Sequence, residues 1–338
     1  EVYMATTVIS AFNEFLKDKV NLDPEQTKKA RASKDWLINQ IHNFPINDTE
    51  FPKLYSDVNI GFGSFARKTK KRPIDDIDLM IGISAEHTTY TEYSNRIEMN
   101  VPESASNLRK LCHDYTNKLN SIKVINRFIK SLENIPQYSK SEINRNQEAA
   151  VLNLTSYDWS FDIVPCFHTT PDPNHNNRIF YLIPDGSGNW KFTDPRLDRD
   201  RVTNINTKQS GRVLQLIRLM KYWNKRPTMP SAPSYMFENL LLNYFDSRPT
   251  IVSEYVDLTL PDLFQYVANN IYNSVNDPKN IQGDLNTLSF DEKYKISQRA
   301  SLDYSRANEA RQLETDKKQK ESINKWKEIF GDEFPKYE

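Results

Sequence analysis

A Gly-Ser pair followed by two aspartates gives this chain its strongest indication of chemistry. Gly63 and Ser64 come shortly before the run 76–83, in which Asp76 and Asp78 alternate with apolar residues. Side chains two positions apart on a strand share one face, so the two carboxylates would lie together, opposite the apolar side chains. Neighbouring carboxylates repel each other unless a cation lies between them, and such oxygen ligands suit Mg²⁺. The run therefore predicts a magnesium site.

The same alternation distinguishes between the other aspartates near such a site. Asp75 has the parity of the apolar residues and is interpreted as a turn residue. In the run 159–165, Asp162 lies between apolar residues that face the other way, and an unpaired buried charge is costly. Asp162 is therefore either paired with a cation or a metal ligand, and it is the candidate for the third carboxylate expected from an adjacent strand. Asp158 has the same parity but lies beside a predicted turn, so it ranks second.

The Gly63-Ser64 pair is a candidate phosphate-binding turn. Glycine lets a phosphate approach the backbone closely, and a serine at the start of a helix offers a hydroxyl and neighbouring amide groups. Most Gly-Ser pairs are simple turns, but one that precedes Asp-x-Asp on a strand is a far more specific pattern. A basic stretch lies between the two motifs and consists of Arg67, Lys68, Lys70, Lys71 and Arg72.

The overall charge favours a small anionic ligand over a nucleic acid duplex. The 338 residues include 45 basic and 45 acidic side chains, a formal net charge of zero. Proteins that bind duplexes over a whole surface are usually basic. No apolar run reaches the roughly 18–20 residues that a membrane-spanning helix needs. A cytoplasmic protein with no membrane partner and no requirement for duplex nucleic acid is therefore expected.

Hydrophobic periodicity predicts an α+β fold. It indicates helices at 5–20, from Pro24 to about His42, and within 105–134, then strands at 58–62, 76–83, 149–155, 159–167, 178–183 and 189–193. The second half is predicted to be helical, over about 201–226, 234–246, 260–275 and 290–330. A mixed sheet enclosed by N-terminal helices and followed by a helical half is the architecture that results.

The order of these motifs resembles a known superfamily. Gly-Ser, then Asp-x-Asp, then a Phe-Asp-Ile-Val-Pro strand is similar to the DNA polymerase β-type nucleotidyltransferases. More narrowly, the chain resembles the bacterial cGAS/DncV-like nucleotidyltransferases of the SMODS type, which make cyclic or linear oligonucleotide second messengers. The resemblance covers most of residues 5–280, including the sequence Asn-Leu-Asp at 21–23, Ala-Arg-Ala-Ser at 30–33 and Trp-Lys-Phe-Thr-Asp-Pro at 190–195.

The resemblance implies a bilobed α+β molecule. A polymerase β-like catalytic core, with a mixed sheet, flanking helices and the N-terminal helices, would occupy residues 5–195. A helical domain at 196–338 would pack against it and close the nucleotide cleft. Two Mg²⁺ or Mn²⁺ ions would be held by Asp76, Asp78 and Asp162.

The resemblance also assigns residues of the helical half. Lys221 and Ser234 match a lysine and a serine that contact the donor triphosphate in the family. Without the resemblance, Lys221 would be interpreted as a solvated lysine on the polar face of its helix. Tyr235 and Tyr222 are candidates for stacking on a nucleobase. One departure is Lys68, where the family often has glycine, and this replacement is expected to stiffen the turn near the triphosphate.

Several functional consequences are expected from the family. The substrates would be ribonucleoside triphosphates, ATP among them, and the product a cyclic di- or oligonucleotide messenger in anti-phage (CBASS) signalling. The protein is expected to be a monomer, with a regulatory partner protein as an option. Two alternatives share the same motifs. One is transfer of a nucleotide to a protein, a tRNA or a small molecule, and the other is a catalytically silent nucleotide-binding protein.

Overall fold

A computed structural model describes residues 5–338, which divide into two compact units. The sheet unit consists of Glu25–Ala66 and Ile74–Arg196. The helical unit consists of the chain up to Pro24, Arg67–Pro73 and Leu197–Glu338. The change of unit after Arg196 lies one residue from the division expected at 195. The first helix and the segment 67–73, however, belong with the helical unit.

The sheet unit is built on a mixed sheet, to which the described residues contribute nine strands. These are β1 (Ile60–Phe62), β2 (Asp76–Gly82), β3 (Thr89–Glu92), β4 (Ile97–Asn100), β5 (Glu142–Asn146), β6 (Ala149–Asn153), β7 (Ser160–His168), β8 (Tyr181–Pro184) and β9 (Trp190–Thr193). Their order is β1-β2-β7-β8-β9-β4-β3, and β6 pairs with both β5 and β7. The β2–β7 pair is parallel, whereas the other pairs are antiparallel.

The helices lie in the predicted regions, except that the one expected over about 201–226 is divided in two. They are α1 (Val8–Phe15), which continues as a π-helix (Leu16–Val20), α2 (Pro24–His42), α3 (Phe44–Asn47), α4 (Gly63–Ala66), α5 (Ser106–Arg109), α6 (Ser121–Glu133), α7 (Pro195–Lys208), α8 (Val213–Asn224), α9 (Ser234–Ser247), α10 (Val256–Asn270), α11 (Phe290–Thr315) and α12 (Gln319–Phe330). The helical region expected within 105–134 is divided between α5 and α6. In the part of the chain described here, no helix has the length and apolar character to cross a bilayer.

Helix α1 belongs to the helical unit because of its aromatic stripe. Phe12 and Phe15 are buried on one face of the helix. The ring of Phe12 packs edge-on against Trp326, and that of Phe15 packs edge-on against Tyr222, each with ring centroids 5.0 Å apart. Such aromatic pairs add to the free energy gained by burying the rings themselves. The amphipathic stripe of this helix therefore completes the core of the helical unit.

Candidate active site

Three aspartates occupy two neighbouring strands of the sheet unit. In the parallel pairing of β2 with β7, Asp78 is the direct partner of Asp162, and Asp76 is the partner of Ser160. Neighbouring strands lie about 4.8 Å apart. Ile77 and its apolar counterparts on both strands are buried, whereas all three aspartates are partly exposed. The alternation expected from the sequence is thus present, and it places the carboxylates along one face of the sheet.

Gly63 lies directly against one of these carboxylates. Phe62 at the end of β1 pairs with Asp78, and the chain then turns at Gly63 with a φ of +67°. A Cβ atom added at Gly63 would lie 1.8 Å from Oδ2 of Asp78. Both the backbone conformation and the contact therefore require glycine. Ser64 follows in the short helix α4, so the Gly-Ser turn and the carboxylate strand are in contact.

The two aspartates that were ranked lower lie elsewhere. Asp75 is exposed and precedes β2, and its backbone carbonyl accepts a hydrogen bond of 3.0 Å from the amide of Ser160. Asp158 is exposed in the loop before β7. Neither residue belongs to the row formed by Asp76, Asp78 and Asp162.

The donor chemistry of this row fits hard divalent cations. Within residues 5–338, no group of three or more His, Cys, Asp or Glu side chains is arranged as a complete metal-binding cluster. Mg²⁺ does not need one, because it commonly takes one or two carboxylates and completes its octahedron with water and substrate phosphates. Partly exposed carboxylates in register on adjacent strands meet this requirement.

In the helical unit, Lys221 is buried rather than solvated. Only 5% of the residue is exposed, and its ammonium group donates hydrogen bonds to the carboxylate of Glu238 on α9 and, at 3.5 Å, to the hydroxyl of Thr69. The sequence placed Lys221 on the polar face of α8 with Arg218. The structure shows that this face is covered by α9 and by the segment 67–73.

Glu238 is the centre of this buried cluster. It accepts hydrogen bonds of 2.7 Å from Nε of Arg67 and from the hydroxyl of Thr69, in addition to that from Lys221. Burial alone would raise the pKa of the Glu238 carboxyl, but Lys221 and Arg67 outweigh that effect and lower it to about 2. Glu238 is therefore ionised at neutral pH. A buried carboxylate requires such partners, since its desolvation would otherwise be very costly.

Ser234 begins helix α9 and is exposed. The turn before it is fixed by Asn224 at the end of α8. The side chain of Asn224 donates to the carbonyl of Ala232 at 2.9 Å and accepts from its amide at 3.0 Å. Both hydrogen bonds lie in the interior, so the start of α9 has a set position with respect to α8 within the helical unit.

The two tyrosines considered for base stacking have different surroundings. The hydroxyl of Tyr235 donates to Asp198 at 2.5 Å, and the cations of Arg67 and Lys279 lie 5.4 Å and 4.4 Å from its ring centroid. Burial and the carboxylates of Asp198 and Asp277 raise the pKa of Tyr235. Tyr222 packs edge-on against Phe15 and is half-buried. A stacking role stays a prediction for both residues.

Lys68 adopts the backbone conformation that glycine favours. Its φ is +62°, and its carbonyl accepts a hydrogen bond of 2.7 Å from Nη1 of Arg218. A glycine at this position would adopt this conformation without steric cost. The turn therefore keeps a glycine-like geometry despite the lysine.

The sequence reasoning missed Glu238, which is buried and accepts hydrogen bonds from Arg67, Thr69 and Lys221. It also missed the cluster around Tyr235, which contains Asp198, Asp277 and Lys279. One signal was present for Glu238. It stands with Asn239 in the run of residues 236–242, whose other members are apolar, and a carboxylate at such a place on a helix is expected to be paired.

Comparison with known proteins gives the class to which this fold and site belong. The chain is 49% identical over 336 residues to a probable cyclic nucleotide synthase of Bacillus cereus strain VD146, covering 99% of this chain and 100% of the relative. No established family profile matches the sequence. A match of this identity over the full length of both chains places them in one family. The chain therefore belongs to the family of this cyclic nucleotide synthase.

Solved structures share the fold over nearly the whole chain. CdnC of E. coli MS115-1, solved with ATP, has a TM-score of 0.67 and 19% identity over 96% of this chain and 98% of its own. CdnC in complex with HORMA-deltaN has a TM-score of 0.66 and 19% identity over 96% of this chain and 97% of its own. DncV of Escherichia coli, solved with 3′-deoxy GTP, has a TM-score of 0.63 and 13% identity over 96% of this chain and 97% of its own. These structures confirm the α+β class expected from the sequence, and the relative that shares 49% identity confirms the family.

Proposed function

We propose that this protein uses ribonucleoside triphosphates and two Mg²⁺ or Mn²⁺ ions to make a cyclic di- or oligonucleotide second messenger. The observation that carries this proposal is the pairing of Asp78 with Asp162 across β2 and β7, with Gly63 against the Asp78 carboxylate. The relative that shares 49% identity is named as a cyclic nucleotide synthase, which supports the product class.

The proposed reaction is nucleotidyl transfer. A ribose hydroxyl of the acceptor attacks the α-phosphate of the donor, and pyrophosphate leaves; a second transfer within the linear product closes the ring. Asp76 and Asp78 would hold both ions, and Asp162 would complete the ligands of the ion nearer the attacking hydroxyl. When bound, two such ions stabilise the entering and leaving oxygens of an in-line displacement.

The remaining predicted residues are proposed to bind the donor phosphates. The glycine backbone at position 63 permits close approach, and the hydroxyl of Ser64 is a donor to the phosphate oxygens. Lys221 and Ser234 would contact the β- and γ-phosphates and offset the charge that develops on pyrophosphate. A lysine ammonium has three donors. Lys221 uses donors on Glu238 and Thr69, and its third donor is assigned to phosphate.

The biological setting is part of the same proposal. CdnC was solved with ATP, which supports ATP as one donor of this enzyme. CdnC also forms a complex with HORMA-deltaN, which supports a regulatory protein partner here. We place the enzyme in the bacterial cytoplasm, as a monomer that signals phage infection.

A comparison of three proteins tests the proposal. The wild type, Asp78→Asn and Asp75→Asn are incubated with four labelled ribonucleoside triphosphates and Mg²⁺ or Mn²⁺, and phosphatase then removes unreacted label. The wild type and Asp75→Asn should yield phosphatase-resistant product, because Asp75 lies outside the carboxylate row. Asp78→Asn should yield none. Equal product from all three proteins would refute the assigned site.

A further inference from the structure

Glu238 lies at the centre of the buried cluster in the helical unit and has no part in the chemistry described above. We propose that it is a positioning residue for donor binding, which fixes both Lys221 and the segment 67–73 in the orientation that a triphosphate requires. This inference rests on the proposed function, because it assigns Lys221 to the donor phosphates.

The hydrogen bonds of the cluster leave Lys221 with one defined direction for a ligand. Glu238 and Thr69 both accept from its ammonium, and the hydroxyl of Thr69 in turn donates to Glu238 at 2.7 Å. This closed triangle restricts rotation of the lysine side chain, which would otherwise sample many rotamers. A phosphate would meet a donor that is already oriented.

The charges of the cluster are also suited to an anion. Arg67 and Lys221 carry two positive charges, and Glu238 carries one negative charge, so the group retains one net positive charge. Without the carboxylate, the two buried cations would repel each other, and desolvation would favour loss of the lysine proton. Burial already lowers the pKa of Lys221, and Glu238 opposes this shift. Glu238 thus favours the charged form of the lysine as well as orienting it.

The same carboxylate fixes a second part of the chain. Arg67 and Thr69 lie in the segment that directly follows helix α4 with its Gly63-Ser64 start, and this segment leads towards β2. Arg67 binds Glu238 through Nε at 2.7 Å and through Nη2 at 3.4 Å. A single side chain on α9 therefore ties this connecting segment to α8, which carries Lys221.

Nucleotide binding by the full-length protein tests the inference independently of turnover. A fluorescent ATP analogue with Ca²⁺ in place of Mg²⁺ gives the dissociation constant, and initial rates with ATP give KM and kcat. Glu238→Gln should raise the dissociation constant and the KM roughly tenfold or more, the cost of losing one charge-assisted hydrogen bond. Its effect on kcat should be smaller. Glu238→Asp should recover part of the affinity.

Asp303→Asn is a matched control. Asp303 is fully buried and accepts hydrogen bonds from Arg299, Arg306 and Trp223, so its replacement also removes a buried carboxylate between two arginines of the helical unit. It should lower thermal stability as Glu238→Gln does, with nucleotide affinity retained. Lys221→Met should weaken binding, and the double variant with Glu238→Gln should be little weaker than either single variant.

The outcomes separate this inference from the proposed function. Wild-type affinity in Glu238→Gln, or an equal loss of affinity in Asp303→Asn, would overturn the positioning role. A wild type that binds nucleotide but forms no product would refute only the synthase activity. A wild type that binds no nucleotide would refute both.

Discussion

Asp78 and Asp162 are direct partners in the parallel pairing of β2 with β7. Antiparallel β1 lies on the other side of β2 and delivers Gly63 to the Asp78 carboxylate, where the Cβ of any other residue would collide with it. Three strands therefore determine where the candidate metal ligands and the candidate phosphate-binding turn lie.

Asp162→Asn should abolish turnover and weaken metal binding. The change retains shape but removes one negative charge from the carboxylate row, and we expect a loss of activity of at least about a hundredfold. Paramagnetic resonance of bound Mn²⁺ and the rate of pyrophosphate release measure the two effects. The melting temperature should not fall, because Asp162 is partly exposed. Wild-type Mn²⁺ affinity in the variant would contradict the assignment.

Gly63→Ala should inactivate the enzyme by displacing a carboxylate. The added methyl group would meet Oδ2 of Asp78 at 1.8 Å, so the side chain or the turn has to move. A misplacement of about 1 Å near reacting groups can cost on the order of a hundredfold in rate. Product formation measures the effect.

Gly211→Ala is the control for Gly63→Ala. Gly211 has a φ of +81°, comparable with the +67° of Gly63, but an added Cβ there would meet nothing within 4 Å. It therefore imposes similar backbone strain in the absence of a clash. We expect a modest loss of stability with activity retained. Equal inactivation of both variants would mean that strain, and not contact with Asp78, explains the requirement for glycine.

Lys68→Gly should retain activity and should not destabilise the turn. Lys68 has a φ of +62°, a conformation that costs a residue with a side chain about 1–2 kcal/mol. Glycine removes this cost but loses roughly 0.5–1 kcal/mol through the entropy of the unfolded chain. The melting temperature should therefore stay equal or rise slightly. A marked fall would show that the lysine side chain itself stabilises the segment.

The stability conferred by Glu238 should depend on pH with a defined sign. Its pKa is about 2 in the folded protein, against an ordinary value of 4.5. The ionised carboxylate therefore stabilises the fold fully above 4.5, and this contribution is lost as the pH falls from 4.5 towards 2. The shift corresponds to about 3 kcal/mol. Thermal unfolding of the wild type and Glu238→Gln should differ most at neutral pH and converge on acidification. A difference independent of pH would contradict the buried ion pairs.

The sequence was informative where local rules decide the structure, as with the alternation of side chains on a strand or a turn that requires glycine. Parity along β2 separated Asp76 and Asp78 from Asp75, because side chains on a strand point alternately to its two faces whatever the rest of the fold does. Strand β3 gave no such signal, since the Thr-Tyr-Thr-Glu sequence is largely exposed and lacks an apolar face. The sequence also did not show which later segments of the chain cover each face of a helix.

Long-range pairing could not be predicted from local pattern. Lys221 appears on a polar stripe of α8, and only the fold reveals that Glu238 and Thr69, the latter more than 150 residues away in the chain, bury its ammonium group. The membership of α1 in the helical unit has the same origin. Its apolar stripe showed that one face is buried, whereas the partner rings, Trp326 among them, depend on tertiary packing.

Mass spectrometry of the product made by the wild-type protein tests the central claim most directly. The protein is incubated with all four ribonucleoside triphosphates and Mg²⁺ or Mn²⁺, and the products are treated with phosphatase before analysis. We predict a species whose mass equals that of nucleotide monophosphate units joined in a ring, with no terminal phosphate to remove. Only unreacted nucleotides, or label transferred to an added protein or tRNA, would contradict the assignment of a cyclic nucleotide synthase.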